Sequence, residues 1–477
     1  FAVISVLGFI AYFFEGIGKY ATEILPWDLR VSWLGYDLTS ARGYALIICI
    51  LTALYTVKGG MHSVVATEVM QFIVMTIGCI GVGIVAYNAV TIEQLNAVIP
   101  RGWKELSFGW NLNLDWSDTP FPQVNKKIDG DGFTLFGGLF VLMVLKGILA
   151  SIAGPVPSYD MQRILAAKKP SEAAKMSFLT VAVLYIPRYF MVVGFTVLAL
   201  VYLGPEIAAM GPSIDFEKIL PMTMNAHLPV GLKGIMLAGF LAAFMGTFAA
   251  FINAAPAYLV NDIYKKYINP GASDKKLVQL SIISSLILVC IGIVFGFNAG
   301  SLNSLILWLS SALYGGYVAA NVLKWVWWRF TGAGYFWGML FGLIASTVKL
   351  FFFSEYVDIF VFPLIFAFSL LGCVLGTYAT PLPNPDAVVA FYKQTKPWGF
   401  WGPVKASAMA NDPSFVPNTH FKRDGFNVLV GIVWQMAQLL IPVYFMIREN
   451  AQMVIWSAVF LGCSYLLKKY WWNTLED

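Results

Sequence analysis

Residues 237–261 form an uncharged stretch that carries polar groups near its middle. At about 1.5 Å per residue this stretch is long enough to cross a bilayer. Polar atoms at that depth are costly unless they meet a partner, an ion or water. Ala243, Gly246 and Thr247 recur at i, i+3 and i+4, so they share one face. Backbone carbonyls and a hydroxyl on that face could replace the water around a small hard cation such as Na⁺.

A second group of polar residues lies inside another apolar stretch, residues 61–90. Thr67 and Gln71 are four residues apart and share a helix face, with Glu68 beside them. A carboxylate inside a membrane is expensive unless it is paired or lines a water-filled path. We therefore expect these three residues to line an exit path for the cation, with an ion pair to a neighbouring helix as the alternative.

Three more residues are candidates for contact with a transported solute: Lys146, Tyr159 and Trp308. Lys146 lies within an apolar stretch, so its amine needs either a solute or a buried acid such as Glu68. Tyr159 follows two prolines that break the preceding helix, and broken helices often form transporter sites; the alternative is an ordinary helix end at Gly154. Trp308 could stack on an uncharged solute or serve only in packing.

Side chains inside a bilayer must be carried by apolar helices, and the composition of the chain indicates that it has many of them. Of 477 residues, 58% are hydrophobic and only 12% are charged, and the mean hydropathy is +0.71. The chain is therefore predicted to be an all-α polytopic membrane protein. Hydropathy indicates about twelve spans, at roughly 1–18, 41–58, 61–90, 133–154, 176–203, 231–262, 277–298, 302–323, 334–353, 357–378, 426–447 and 451–467.

The distribution of basic residues predicts how these spans are oriented. Loops on one side hold roughly twice as many Lys and Arg residues as loops on the other, and positive loops stay cytoplasmic. The C-terminus and residues 379–425 are then cytoplasmic, while residues 91–132 form an external loop. The aromatic cluster within 391–403 could dock a partner or lie against the membrane. The modest net charge of +5 argues for topology and gives no reason to expect nucleic acid.

Several functional classes find no support in the residues. The five cysteines lie widely spaced in apolar runs, and the three histidines do not cluster as metal ligands would. No nucleophile with a base is apparent, so we do not expect an enzyme. The chain opens on Phe1 inside an apolar stretch, which indicates a truncated start.

Taken together, residues 55–71, 162–173 and 242–264 resemble the sodium:solute symporter family, which includes sodium-coupled sugar, proline and monocarboxylate carriers. The matching features are the Tyr55–Gly60 run leading to Glu68 and Gln71, a Gln-Arg pair followed by basic and acidic residues, and the stretch that contains Ala243. Their order and spacing fit the family over essentially the whole chain. Residues 391–402 are similar to bacterial members often labelled sugar symporters.

The resemblance implies a LeuT-type core of two inverted five-helix repeats. It divides the chain into the last three helices of the first repeat, the external loop, the second repeat, and peripheral helices with the cytoplasmic loop: 1–90, 91–132, 133–330 and 331–477. By this alignment the first helices of the first repeat are missing.

The resemblance also implies site residues. Sodium would be held by the Ala243 carbonyl, the Gly246 position and the Thr247 hydroxyl, together with carbonyls of the first core helix. Family members often carry two adjacent hydroxyls, and Gly246 stands at the first of these, so one ligand is lost or replaced by water. Glu68 stands where the family commonly has Asp. The sugar branch's own solute contacts do not transfer.

The expected function is therefore a Na⁺-coupled symporter that imports a small organic solute across the plasma membrane, in bacteria the inner membrane. A sugar or sugar-like solute is favoured, with an amino acid or monocarboxylate as the alternative. A transporter-like solute sensor and a sodium-independent facilitator are alternatives of another class. The expected partners are the solute, sodium ion and the lipid bilayer, and no obligate protein partner is evident.

Overall fold

The computed structural model describes residues 2–33, 36–105, 108–154, 164–209, 216–297, 302–353 and 355–475. Within its helices and strands the description is of the backbone alone at 2, 31–33, 36–37, 57–64, 66, 302–308, 310–314 and 350–351. Nearly all of the described chain is helical, as the composition predicts. A small antiparallel hairpin, Val31–Trp33 with Tyr36–Leu38, joins the first two helices.

The helices in chain order are α1 (Ala2–Ile24), α2 (Ser40–Ala89), α3 (Ile92–Val98), α4 (Gln123–Gly130), α5 (Phe136–Ala153), α6 (Pro170–Tyr202), α7 (Gly204–Ala209), α8 (Ile219–His227), α9 (Val230–Ala257), α10 (Asp274–Phe297), α11 (Leu302–Val326), α12 (Gly332–Phe352), α13 (Asp358–Tyr378), α14 (Pro385–Thr395), α15 (Gly402–Asn411), α16 (Phe421–Met446) and α17 (Asn450–Tyr470). A π-helix, Tyr258–Ile268, continues α9 directly. Short 3₁₀ turns cover Phe133–Leu135, Phe216–Lys218 and Trp472–Thr474.

The long helices match the spans that hydropathy predicts. Among the described residues, nine helices are long and apolar enough to cross a membrane. The shorter apolar segment Ser40–Thr56, together with α11 and α12, falls at the remaining predicted spans. The chain is thus a multi-pass helical membrane protein, because apolar runs of this length bury their backbone polar groups within helices.

α2 differs from the sequence expectation, because it is helical over 50 residues. The predicted boundary at 58–60 is not a gap between two helices: the backbone there is helical, and a pair of glycines, which weakens a helix without ending it, allows it to bend. A straight helix of this length would measure about 75 Å. Yet Ala41 lies against Gly18 near the end of α1, and Gly81 lies against Leu232 near the start of α9.

Those two contacts lie at the same side of the bundle. Tyr20, near the end of α1, packs its ring 5.4 Å from that of Phe240 in the first half of α9. Both ends of α2 are therefore on the side of residues 91–132. The helix reverses direction between Thr56 and Thr67, and its two halves form the two antiparallel spans that hydropathy predicts.

The central core of the bundle joins α1, the first half of α2, α9 and α10. Phe14 and Phe248 are fully buried there, and the Phe9 and Phe251 rings stack with centroids 4.6 Å apart. Gly292 of α10 lies against α1 with no room for a side chain. Large aromatic groups and small residues thus alternate, which brings α9 close enough to its neighbours for the contacts described below.

A second, peripheral unit is formed by α11, α12 and α13. Gly334, Gly338 and Gly342 recur every four residues along one face of α12. A side chain at Gly338 would overlap Cys373 of α13, and one at Gly342 would overlap the backbone of Gly316 in α11. This spacing of small residues is typical of tight helix contacts inside membranes.

Candidate functional site

The turn of α9 from Ala243 to Thr247 presents two oxygens to one open face. Thr247 Oγ1 donates to the Ala243 carbonyl oxygen at 2.9 Å. Ala243 is exposed and Thr247 is half-buried. The hydroxyl oxygen keeps lone pairs for a further contact, and the Ala243 carbonyl oxygen, which also accepts the helical N–H of Thr247, becomes available when the hydroxyl hydrogen turns away. Because the two atoms are so close, both can touch the same small cation.

Gly246 lies on the side of this turn that faces the second half of α2. A Cβ atom at Gly246 would lie 2.7 Å from Gln71 Oε1 and 3.5 Å from Glu68 Cγ. Only the missing side chain lets the Gln71 amide and the Glu68 stem come this close to the α9 backbone. The structure therefore brings together two groups that the sequence analysis predicted separately, the sodium residues and the ion-path residues.

The first half of α2 reaches the same turn through Tyr55. The Tyr55 hydroxyl donates to the Met245 carbonyl at 3.3 Å. Tyr55 also lies near enough to Glu68 for the two groups to interact electrostatically. Tyr55 was not among the predicted site residues. Its position as the first residue of the 55–71 motif was the signal that could have found it.

The remaining path residues have interactions of their own. Thr67 is exposed and Glu68 is half-buried, and both take part in polar or electrostatic interactions. Carboxylate, amide, hydroxyl and backbone oxygens are the donors that hard cations prefer. No group of three or more His, Cys, Asp or Glu side chains exists among the described residues to hold a transition metal. The donor set around the α9 turn thus fits an ion such as Na⁺.

Lys146, one of the residues predicted to contact solute, lies away from this turn. The Lys146 amine lies 5.9 Å from the centroid of the Phe362 ring in α13, and it interacts electrostatically with Asp358. Asp358 also forms an ion pair with Lys349 at 2.9 Å, and both of those side chains are largely buried. These contacts favour the structural interpretation of Lys146, with Asp358 as the buried acid in place of Glu68.

The other two predicted solute residues fall outside what the structure describes. Tyr159 lies outside the described residues. Trp308 is part of α11, but its side chain lies outside the description. Their proposed contact with solute therefore stays a prediction.

Comparison with known proteins identifies similar sequences. The model of the sodium:solute symporter family matches residues 32–342. A sodium/glucose cotransporter 4 from Danio rerio is 28% identical over 365 residues, which cover 72% of this chain and 53% of that protein. A sodium/myo-inositol cotransporter 2 from Oryctolagus cuniculus is 26% identical over 329 residues, which cover 65% of this chain and 47% of that protein. The chain spans about half the length of the curated relatives it matches.

A solved structure shares the fold. A Na⁺-coupled sialic acid symporter in a substrate-bound, outward-open state aligns with a TM-score of 0.57 at 16% identity. The alignment covers 80% of this chain and 75% of that one. The LeuT-type fold that the sequence resemblance implied is therefore confirmed.

The contact between α2 and α9 predicts a measurable coupling between two residues. A Gly246→Ala change places a methyl group 2.7 Å from Gln71 Oε1, the far end of a flexible side chain that must turn away, so we expect it to destabilise the protein by at most about 1 kcal/mol. Adding Gln71→Ala should remove the overlap. The double variant should therefore lose less free energy of unfolding than the two single variants lose together. The measurement is thermal unfolding of the wild type and the three variants.

The matched control for this cycle is Gly234→Ala on the same helix, where an added Cβ has no neighbour within 4 Å. This control should leave the melting temperature unchanged or slightly raised, because alanine favours helix. Strictly additive effects of Gly246→Ala and Gln71→Ala would contradict the described contact.

Proposed function

The chain belongs to the sodium:solute symporter family, and from this premise we propose that it uses the inward Na⁺ gradient to import a small organic solute. The observation that carries the proposal is the meeting of oxygen donors at one turn of α9, where both halves of α2 contribute polar side chains. The family and the matched relatives are transporters and not enzymes.

The proposed solute is a sugar or a sugar-like polyol. The matched relatives carry the names of glucose and myo-inositol cotransporters, and both of these solutes are neutral and rich in hydroxyl groups. The symporter with the similar fold binds sialic acid, a sugar acid. An amino acid or a monocarboxylate remains the alternative within the family.

In the proposed mechanism Na⁺ binds to the Ala243 carbonyl and the Thr247 hydroxyl. An ion at this turn favours the arrangement of helices that offers it the most oxygens, and the difference in affinity between arrangements shifts the equilibrium between them. Glu68 and Gln71 lie beside the turn on α2 and receive the ion as it leaves. A membrane potential supplies about 2.3 kcal/mol per charge per 100 mV for this cycle.

The proposed location is the plasma membrane, with the C-terminus and residues 379–425 in the cytoplasm. The excess of Lys and Arg in the loops on that side supports this orientation. The reversal of direction within α2 also supports this orientation. Basic residues can be assigned to one side of the membrane only if successive spans cross it in opposite directions.

The direct test of the proposed function is uptake into proteoliposomes that contain the purified, intact protein. With an inward Na⁺ gradient we expect accumulation of glucose or myo-inositol above the external concentration, and a sodium ionophore should abolish it. Equal uptake in Na⁺ and in K⁺ would indicate a facilitator. Binding of solute without any uptake would favour a sensor.

We expect Thr247→Ala to raise the Na⁺ concentration that gives half-maximal uptake by about tenfold, the equivalent of about 1.4 kcal/mol. The change removes one of the two oxygens on the open face of the turn. Thr247→Ser keeps the hydroxyl and serves as the matched control, with nearly normal Na⁺ dependence. An unchanged Na⁺ dependence in Thr247→Ala would remove Thr247 from the site.

Glu68→Gln should slow turnover more than it weakens solute binding. The change removes the negative charge beside the α9 turn, so the ion loses an attractive group on its way out. Solute exchange across proteoliposomes measures turnover, and Glu68→Asp, which keeps the charge, is the control. Normal exchange rates in Glu68→Gln would count against a role in the path.

A further inference from the structure

A large cavity lies away from the α9 turn, between the core and the peripheral helices. Its volume is about 1090 Å³, and it is bounded by the end of α5, the first half of α6, the first half of α16, the end of α17 and residues 395–420. It opens on the side of residues 379–420. None of the residues assigned to the cation site or the ion path lines it.

The cavity changes character with depth. Its mouth is lined by Lys396, His420 and Arg423, with Asp424 beside Arg423. Farther along the helices most of the lining is apolar, at Val181 of α6 and at Val428, Gly431, Trp434 and Leu467 of α16 and α17, with the polar Gln435 at the far end. The lining residues of α16 run from Arg423 to Gln435, a depth of about 18 Å at 1.5 Å per residue.

Aromatic rings form one wall of the cavity. Phe178 stacks on Trp434 with centroids 4.5 Å apart, and it lies 5.1 Å from Trp471. Trp398 lines the cavity from the loop. Tryptophans concentrate at the level of lipid headgroups, so this wall marks the boundary between headgroups and acyl chains.

The two cationic side chains of the mouth have different surroundings in the described part of the chain: the Lys396 amine lies 5.5 Å from the centroid of the Phe415 ring, and Arg423 is bonded at one nitrogen. The hydroxyls of Ser151, Ser177 and Thr395 donate to carbonyls one turn back on their own helices, at 2.8–3.0 Å. Arg423 bonds Asp424 through Nε at 3.0 Å. Among the described residues its two terminal nitrogens have no hydrogen-bond partner, so they can face an anion.

A buried acceptor adds a second polar feature. Asn427 lines the cavity and is only 7% exposed. Its amide nitrogen donates to the Tyr470 carbonyl at 2.9 Å, while its Oδ1 has no partner among the described residues. A buried amide oxygen without a donor is costly, which points to a ligand that carries a hydroxyl or ammonium group as well as an anion.

We propose that this cavity binds an anionic phospholipid of the cytoplasmic leaflet, with its phosphate at Arg423 and Lys396 and an acyl chain along Val181 and Val428. A basic pocket between helices on the cytoplasmic side suits such a headgroup. The apolar depth distinguishes a lipid from a soluble phosphate, which would fill only the mouth. The inference goes beyond the proposed transport activity and rests only on the orientation proposed above.

The bound lipid would fill the space between the core helix α6 and the peripheral pair α16 and α17. Phosphatidylglycerol is the matching probe, because its glycerol hydroxyls can donate to Asn427 Oδ1. In detergent, the purified intact protein should retain phosphatidylglycerol in native mass spectra and melt at a higher temperature with it than with phosphatidylcholine. Glycerol 3-phosphate alone, which has the headgroup chemistry without the chains, should give no such shift.

Two pairs of variants test the site. Arg423→Gln should weaken phosphatidylglycerol binding by about tenfold, whereas Lys422→Gln, an exposed neighbour with the same charge change that does not line the cavity, should not. Gly431→Leu should block the deep end, because a Cβ atom added there has no neighbour within 4 Å and the rest of the side chain can extend into the cavity. Gly462→Leu, on α17 outside the cavity and equally unobstructed, is its control.

The outcomes separate cleanly. If Arg423→Gln and Gly431→Leu both retain as much phosphatidylglycerol as the wild type, the proposed site is wrong. Equal stabilisation by phosphatidylcholine would overturn the requirement for an anion, and equal stabilisation by glycerol 3-phosphate would replace the lipid with a soluble ligand. Because lipid retention is measured without transport, a failed lipid site in a protein that still shows Na⁺-dependent uptake would leave the proposed function intact.

Discussion

The structure depends on how the polar backbone and hydroxyl groups of one turn inside an apolar helix find hydrogen-bond or ion partners. Inside a bilayer no water is available for the carbonyls and the hydroxyl of Ala243–Thr247, so the neighbouring helices must supply partners or leave a place for an ion. Tyr55 and Gln71 approach the turn from opposite halves of α2. On the open face of the turn two oxygens lie 2.9 Å apart, and we propose that the cation binds there.

The need to supply partners to this turn explains several separate features of the structure. α2 must reverse direction, because Tyr55 and Gln71 are 16 positions apart in sequence and yet contact adjacent residues of α9. Because Gly246 has no side chain, Gln71 can occupy the space beside it. In the core, alternating phenylalanines and small residues keep α1, α2, α9 and α10 close enough for these short contacts.

Two groups of charged residues inside the bundle differ in their surroundings. Lys146, Lys349 and Asp358 gather between α5, α12 and α13, where mutual attraction offsets the cost of burial. Glu68 lies instead beside the neutral oxygens of α9. In the proposed site, one acid beside the Gln71 amide and the α9 turn suits a monovalent cation.

Much of this arrangement could be predicted from the sequence, and the rest could not for physical reasons. Hydropathy located the spans because each is a long apolar run, and helical spacing put Ala243 and Thr247 on one face. Spacing along one helix says nothing about which helix lies opposite, so the approach of Gln71 to Gly246 and the role of Tyr55 emerged only from packing. For the same reason the partner of Lys146 was not identifiable, since Asp358 lies more than two hundred residues away in sequence.

The central claim, that the α9 turn forms part of a sodium site, is tested most directly by equilibrium binding of radioactive sodium to the purified, intact protein. The account predicts saturable binding that unlabelled Na⁺ displaces and that an equal concentration of K⁺ does not. Absence of saturable binding, or equal displacement by K⁺, would contradict it.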